Sequence, residues 1–149
     1  MSAGIDKIQV RGLKELRAAL KEVDAKAPKL LQKANKAAAN LVVGPARARM
    51  GQHSPRAGSR AAGTIRALAS GTKAQIGVGS NAVPWALGHE FGGRGRPHRI
   101  GKQGHTMMFP PHRGQDGYAV YPTIRAMRAE IMDQYGDMID ELVQDSFPD

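Results

Sequence analysis

The amino-acid sequence predicts an α+β fold, in which a small antiparallel sheet packs against two N-terminal helices and a long C-terminal helix, with long basic loops. Three observations support this prediction. Leucines recur at helical spacing near the N-terminus, apolar residues alternate around Ile76, and the C-terminal segment has the clearest amphipathic stripe. A chain of 149 residues suits one domain, so residues 1–149 are interpreted as a single domain.

The N-terminal part predicts two helices. The first has one apolar face and should end near Asp24; its face is formed by Leu13, Leu16 and Leu20. The second restarts at Pro28, because proline is tolerated in the first turn of a helix. Lysines lie off its apolar stripe, at Lys29, Lys33 and Lys36. Gly44-Pro45 should end or kink this helix, because proline lacks the N–H that an interior position donates.

A loop and a hairpin are predicted next. Residues 51–63 are rich in Gly, Ser, Pro and Arg, which indicates an exposed, extended loop. Residues 64–69 form a candidate strand, Gly71-Thr72 a turn, and residues 73–80 an alternating second strand. Together they predict an antiparallel β-hairpin.

The region after the hairpin predicts a short helix over Pro84–Phe91, with proline near its start. Residues 92–117 form a second extended loop, rich in Gly and Arg. Within and after this loop, residues 106–109 and 118–121 are candidate strands.

The last predicted helix begins at Pro122 and Thr123. Its apolar residues step by 3, 4, 4, 3 and 4 positions: Ile124, Met127, Ile131, Tyr135, Met138 and Leu142. Gly136 weakens this helix by about 1 kcal/mol relative to Ala.

The apolar positions of these elements define a predicted core. We expect ten side chains to be mostly buried: Leu16, Leu20, Leu31, Leu41, Ile76, Val78, Trp85, Phe91, Ile131 and Leu142. Hydrophobic residues make up 41% of the chain and aromatic residues 5%, so the core must be built mainly from aliphatic side chains. Contacts with partners are expected to supply additional burial.

Charge is divided unevenly along the chain, whose formal net charge is +9. Residues 1–128 contain 22 Lys and Arg against 6 Asp and Glu, whereas residues 129–149 contain 7 acids and no base. A basic body attracts nucleic acid, acidic membranes or acidic protein surfaces. The acidic segment also suits the basic body of a neighbouring copy, and the plainer alternative is that both regions simply solvate the protein.

Several kinds of site are excluded or disfavoured by residue type. The absence of cysteine excludes disulfides and thiolate metal sites. The N-terminus has no apolar stretch of signal-peptide length, and no segment approaches the roughly 20 apolar residues that span a bilayer. We therefore expect a soluble protein, made in a cytoplasm, with no membrane partner.

No catalytic constellation is recognisable either. Four histidines are spaced 9, 7 and 7 apart in the loop-rich middle, which indicates surface residues more than a metal site: His89, His98, His105 and His112. No serine lies in a Gly-x-Ser-x-Gly elbow. Glu90 is a lone acid among arginines, which is more typical of a structural salt-bridge partner than of a general base. We expect no enzyme activity, no catalytic or metal-binding residue and no cofactor.

The order of several short motifs resembles a known family. The motifs are Gly12–Leu16, Ala46–Arg49, Ile76–Gly79, Pro84–Ala86 and Glu90–Gly92, followed by the proline-initiated C-terminal helix. This order is similar to that of the tailed-bacteriophage head–tail joining or tail-completion proteins, which are minor tail components of the virion neck. Two features depart from the family pattern: the Gly44-Pro45 interruption, and a longer, more basic segment from Gly93 to Gly117.

The resemblance implies a structural subunit of the virion, assembled in the bacterial host cytoplasm. Such subunits form a homo-oligomeric ring in the neck, here expected to contain six copies. The implied partners are phage head-closure or connector proteins, the tail terminator or tail tube, and, transiently, the genomic DNA that passes through the ring.

Two sets of residues are candidates for contacts in this assembly. The candidate subunit interface is acidic and consists of Glu130, Asp133, Asp137, Asp140 and Glu141. Basic loops are candidates for contact with DNA or a neighbour, through Arg47, Arg49, Arg56, Arg60, Arg94, Arg96 and Arg99. The same arginines would form the phosphate-binding face under the alternative hypothesis, a basic protein that binds nucleic acid without sequence specificity.

Overall fold

Helices form most of the fold, which is described by a computed structural model over residues 10–23, 25–53, 57–93, 109–110 and 112–147. In chain order the helices are α1 (Leu13–Val23), α2 (Ala27–His53), α3 (Ala57–Ala62), α4 (Ala86–Phe91) and α5 (Val120–Ser146). Strands β1 (Arg66–Ala69) and β2 (Ala74–Gly77) form an antiparallel sheet, and a 3₁₀ turn spans Gly114–Asp116. The predicted α+β class is confirmed.

The two longest helices, α2 and α5, are antiparallel neighbours. Leu31, near the start of α2, belongs to the same apolar cluster as Leu142, near the end of α5. Met50, in the last turn of α2, shares a second cluster with Val120, at the start of α5. The first cluster also includes the apolar face of α1, and the second includes residues of α3 and α4, with Ile76 of β2 packed against it. The core therefore follows the α2–α5 contact along its whole length.

A chain of buried polar groups crosses the middle of this contact. The hydroxyl of Tyr135 donates a hydrogen bond to Oδ1 of Asn35, and Nδ2 of Asn35 donates to the carbonyl of Ser70 at 2.9 Å. Next to it, Nε2 of Gln32 donates to the carbonyl of Ala69 at 3.1 Å. Burial removes the Tyr135 phenol from water and raises its pKa above the usual value. These bonds fix α5 and the hairpin to the same turns of α2.

The predicted β-hairpin is confirmed. Its register pairs Arg66 with Gly77 and Ala69 with Ala74. The turn over residues 70–73 is closed by a backbone hydrogen bond of 2.9 Å between its first and last residues. A two-stranded sheet is marginal on its own, so its packing against α2 is what stabilises it.

The extended loop predicted over residues 51–63 is wrong, because most of the described part is helical. α2 continues to His53 and α3 begins at Ala57. Gly58 is buried so close to the backbone of Met50 that a Cβ atom would collide with it. The glycine content that indicated a loop instead allows α3 to approach α2 closely at Gly58, and tertiary packing overrides the local preference.

The Gly44-Pro45 pair does not end α2. Proline leaves the carbonyl of Leu41 without its helical donor, which weakens the helix locally. Ala46 and Met50, which follow the proline, are fully buried in the larger cluster. Their burial offsets the lost hydrogen bond, and the helix continues.

The strand predicted over residues 118–121 is also wrong, because α5 already begins at Val120. Within the predicted loop 92–117, residues 114–116 form the 3₁₀ turn. Most of the other candidate strand, residues 106–109, lies outside the described residues.

The predicted core is confirmed in part. Four of the ten side chains are fully buried: Leu20, Leu31, Ile131 and Leu142. The other six are half-buried: Leu16, Leu41, Ile76, Val78, Trp85 and Phe91. Fully buried residues that were not predicted include Met50 and Ile65, which border the segment interpreted as a loop.

Leu30 and Leu31 provide a matched test of the smaller apolar cluster. Leu31 is 0% exposed and Leu30 is 48% exposed. Leu31→Ala should lower the free energy of unfolding by about 2–5 kcal/mol, because it opens a cavity. Leu30→Ala should change it by no more than about 0.5 kcal/mol. Chemical denaturation of both variants measures the difference, and equal effects would contradict the assignment of the buried face.

The raised pKa of Tyr135 predicts that the free energy of unfolding depends on pH. Because the folded-state pKa is raised, the folded chain holds this proton to higher pH than the unfolded chain, whose tyrosines titrate near pH 10. The hydroxyl's contribution, about 1 kcal/mol, is fully present below about pH 10 and is lost as the pH rises through the folded-state pKa. The difference in unfolding free energy between wild type and Tyr135→Phe should therefore shrink from pH 9 to pH 11. A constant difference would show that the phenol is not desolvated.

Candidate functional site

A buried carboxylate on α4 determines where α5 begins. Glu90 is 1% exposed. Its Oε2 accepts hydrogen bonds from the N–H groups of Ala119 (3.0 Å) and Val120 (2.8 Å), and its Oε1 accepts from the N–H of Tyr121 (3.0 Å). The first N–H groups of a helix have no partner within the helix, and the positive end of the helix dipole stabilises an anion there. Glu90 therefore has a structural role, and the described donors to its carboxylate are backbone N–H groups at the N-terminus of α5, where the sequence had indicated a salt bridge.

The residues after Glu90 bring two distant parts of the chain together. Gly92 ends α4 with a φ of 78°, a conformation that glycine adopts without strain. The N–H of Gly93 donates to the carbonyl of Pro110 at 2.9 Å, and the N–H of Arg113 donates to the carbonyl of Phe91 at 2.8 Å. The Glu-Phe-Gly motif is therefore a junction between α4 and the segment that leads into α5.

His89 lies on the other side of α4 and contradicts the expectation of a surface histidine. It is 0% exposed, with its ring centroid 5.5 Å from that of Trp85 and 5.4 Å from that of Phe109. Both ring pairs have edge-on geometry, which is favourable for aromatic groups. His89 thus fills the space between α4 and Phe109.

The described residues contain neither a metal-binding cluster nor a membrane-spanning helix. No group of three His, Asp or Glu side chains comes together there in a way that would hold a metal ion. His112 is exposed, and His98 and His105 lie outside the described residues. No described helix has both the length and the apolar character needed to cross a membrane.

The five acidic residues predicted as an interface lie together on the outer face of α5. All of them are exposed, and we call them the acidic face: Glu130, Asp133, Asp137, Asp140 and Glu141. Ile131, Tyr135 and Leu142 are buried on the opposite side of the helix. The acidic face is therefore presented to solvent by a helix whose other side is anchored in the core.

The arginines predicted to lie in basic loops are placed differently. Arg47 lies in α2, and its Nε and Nη2 atoms donate to the carbonyl of Ile65 at 3.0 and 2.7 Å. Arg49 also lies in α2, and Arg60 lies in α3 with its guanidinium 5.7 Å from the centre of the Trp85 ring. The loop placement is thus wrong for these three arginines, because α2 continues past Gly44-Pro45 and α3 forms within the predicted loop. The other four lie outside the described residues: Arg56, Arg94, Arg96 and Arg99.

A second charged surface was visible in the sequence but was given no role. Four exposed lysines lie along the outer side of α2, and we call them the lysine face: Lys26, Lys29, Lys33 and Lys36. Leu31 and Asn35 are buried on the opposite side of the helix. The sequence signal for this surface is the spacing of its charges. Both faces contain four charges separated by 3, 4 and 3 residues, and on the acidic face these run from Glu130 to Asp140.

A smaller basic surface lies on α1. It is a shallow depression lined by Lys14, Arg17, Ala18, Lys21 and Thr72. Its charged side chains all come from one exposed helix face, and it has no buried polar group that would hold a specific ligand. It adds to the general positive field of the chain.

No protein-family model, curated protein or solved structure matches this chain. The described residues provide two oppositely charged helix faces, the lysine face of α2 and the acidic face of α5, and a hydrogen-bonded junction at Glu90.

Glu90→Gln tests the junction. An amide keeps one acceptor oxygen but directs its NH₂ group at backbone donors, so a buried N–H loses its partner. The variant should be less stable than wild type by about 1–3 kcal/mol. Glu22→Gln, which alters an exposed acid on α1, is the matched control and should stay within about 0.5 kcal/mol. Equal unfolding free energies for the two variants would show that Glu90 does not hold α5.

Proposed function

We propose that this chain is a structural virion protein that forms a ring in the neck of a tailed bacteriophage. In this role it joins the head-closure complex to the tail tube and surrounds the DNA channel. The observation that carries the proposal is the acidic face of α5, whose five residues are all exposed on a chain of net charge +9. An acidic helix face on a basic protein provides an attractive contact for other copies of the same chain.

The order of motifs described above adds support to this proposal. Its most specific part is Val78-Gly79 followed by Glu90-Phe91-Gly92, and the second of these motifs is the junction between α4 and the start of α5. The proposed partners are six copies of the chain itself, connector or head-closure proteins on one side, and the tail terminator or tail tube on the other. The DNA that passes through the ring makes only transient contact, and the role requires neither catalysis nor a cofactor.

Binding of nucleic acid without sequence specificity is the alternative, and the net charge favours it in general terms. Two described arginines of the proposed phosphate face are already in contact within the chain, Arg47 with a carbonyl and Arg60 with Trp85. The two functions differ in their response to salt. A dedicated binder loses affinity for DNA steeply as salt rises, because each neutralised phosphate releases counterions.

Reversal of two charges on the acidic face tests the proposal. Asp137→Lys with Asp140→Lys should reduce the yield of tailed, infectious particles by about tenfold or more, because attraction at the subunit contact becomes repulsion. Folding of the subunit should be unchanged, since both side chains are exposed. The matched control is Glu15→Lys with Glu22→Lys, which changes the net charge equally on the exposed side of α1 and should leave the yield normal.

Two outcomes would contradict the proposal. Normal particle yield from the α5 double variant would show that the acidic face does not contribute to the assembly contact. A wild-type chain that stays monomeric in the assembled particle and in concentrated solution would exclude the ring. Titration of the wild-type chain with duplex DNA at 50 and 200 mM salt distinguishes the ring function from nucleic-acid binding. Tight binding with a steep salt dependence identifies a nucleic-acid binder.

A further inference from the structure

The acidic face and the lysine face match each other in spacing and length. Each contains four charges separated by 3, 4 and 3 residues, from Lys26 to Lys36 on or next to α2 and from Glu130 to Asp140 on α5. At 1.5 Å per residue, each row is about 15 Å long. Two helices packed side by side would therefore bring every charge of one row close to an opposite charge of the other.

The two faces point away from each other within one subunit. The buried side of α2 contacts the buried side of α5 through the hydrogen bond between Tyr135 and Asn35. Lys33 lies on α2 opposite Asn35, and Asp137 lies on α5 opposite the buried side of that helix. The faces are thus back to back, so that they cannot pair within one chain but can pair between successive copies. A contact between two different surfaces is heterologous, and repetition of such a contact closes a ring when the rotation between copies permits.

The helix ends add an electrostatic reason for such a contact. Lys29 lies in the first turn of α2, which contains no acid, and Asp145 lies in the last turn of α5, which contains no base. Each charge therefore lies at the helix end that carries a partial charge of its own sign. A neighbour of opposite charge at each end relieves both repulsions.

Apolar residues lie beside both charged rows. Leu30, which is 48% exposed, borders the lysine face, and Met132, which is 52% exposed, borders the acidic face. Gly136 lies along the edge of the acidic face, and apart from its two chain neighbours and the adjacent backbone of α5, no described atom would lie within 4 Å of a Cβ atom added there. The missing side chain leaves the helix backbone open to close approach by another helix. Such apolar contacts are needed, because exposed ion pairs are individually weak.

We infer that the lysine face of α2 in one copy binds the acidic face of α5 in the next copy, and that this contact builds the ring. The inference rests on the proposed function, since it names the two surfaces through which the subunits of that ring meet. It commits to a second copy of this chain as the occupant of both faces. The lysines thereby act as a protein-binding surface and not as a surface for DNA.

Complementary charge reversals test this pairing. One variant carries Lys29→Glu, Lys33→Glu and Lys36→Glu, so that both of its faces are acidic. A second carries Asp133→Lys, Asp137→Lys and Asp140→Lys, so that both of its faces are basic. A control with Lys14→Glu, Arg17→Glu and Lys21→Glu makes the same charge change as the first variant on α1. Assembly is measured by sedimentation and by electron microscopy of purified full-length chains, with circular dichroism to verify folding.

Each triple variant alone should need a concentration about tenfold or more above that of wild type to assemble, because repulsion replaces attraction. An equimolar mixture of the two should assemble like wild type, since alternating copies restore every contact in a ring with an even number of subunits. The α1 control should behave like wild type. Normal assembly of the lysine variant, or failure of the mixture to assemble when both variants are folded, overturns the inference while the ring function stands. Failure of wild type to assemble contradicts the ring function instead.

Discussion

The carboxylate of Glu90 is the contact on which the rest of the arrangement depends. It accepts hydrogen bonds from Ala119, Val120 and Tyr121, and so it fixes the first turn of α5 against α4. A helix of this length could slide or rotate along an aliphatic core, because apolar contacts have little directionality. Three directional hydrogen bonds to one buried anion remove that freedom. The position of every later residue of α5, including the acidic face, follows from this point.

A second polar contact fixes the same helix at Tyr135, near its middle. Tyr135, Asn35 and Ser70 link α5, α2 and the hairpin through one buried and one partly buried hydrogen bond. The antiparallel pair α2 and α5 is thus held at its end and at its middle. Because the buried sides of the two helices face each other, their charged sides face outward in opposite directions. The chain therefore presents opposite signs of charge on the outer sides of these two helices.

Much of the fold could be predicted because its signals are local. Leu13, Leu16 and Leu20 identify α1 by spacing alone, and alternation around Ile76 identifies the hairpin. The acidic residues of α5 could be assigned to one exposed face for the same reason. The errors arose where local composition and tertiary contact disagree. Gly58 lies in a stretch whose composition indicates a loop, yet its lack of a side chain is what lets α3 pack on Met50.

The sequence by itself determined the periodic elements, the core face of each long helix and the separation of charge between the body and the C-terminal segment. Only the tertiary structure decided that Glu90 caps α5, that His89 is buried, and that the lysine and acidic faces lie back to back. The physical reason is the separation along the chain between the residues that interact. Periodicity is set by neighbours three or four residues apart, whereas the bond from Val120 to Glu90 joins residues 30 positions apart in the chain. No local pattern specifies which distant donors a single carboxylate meets.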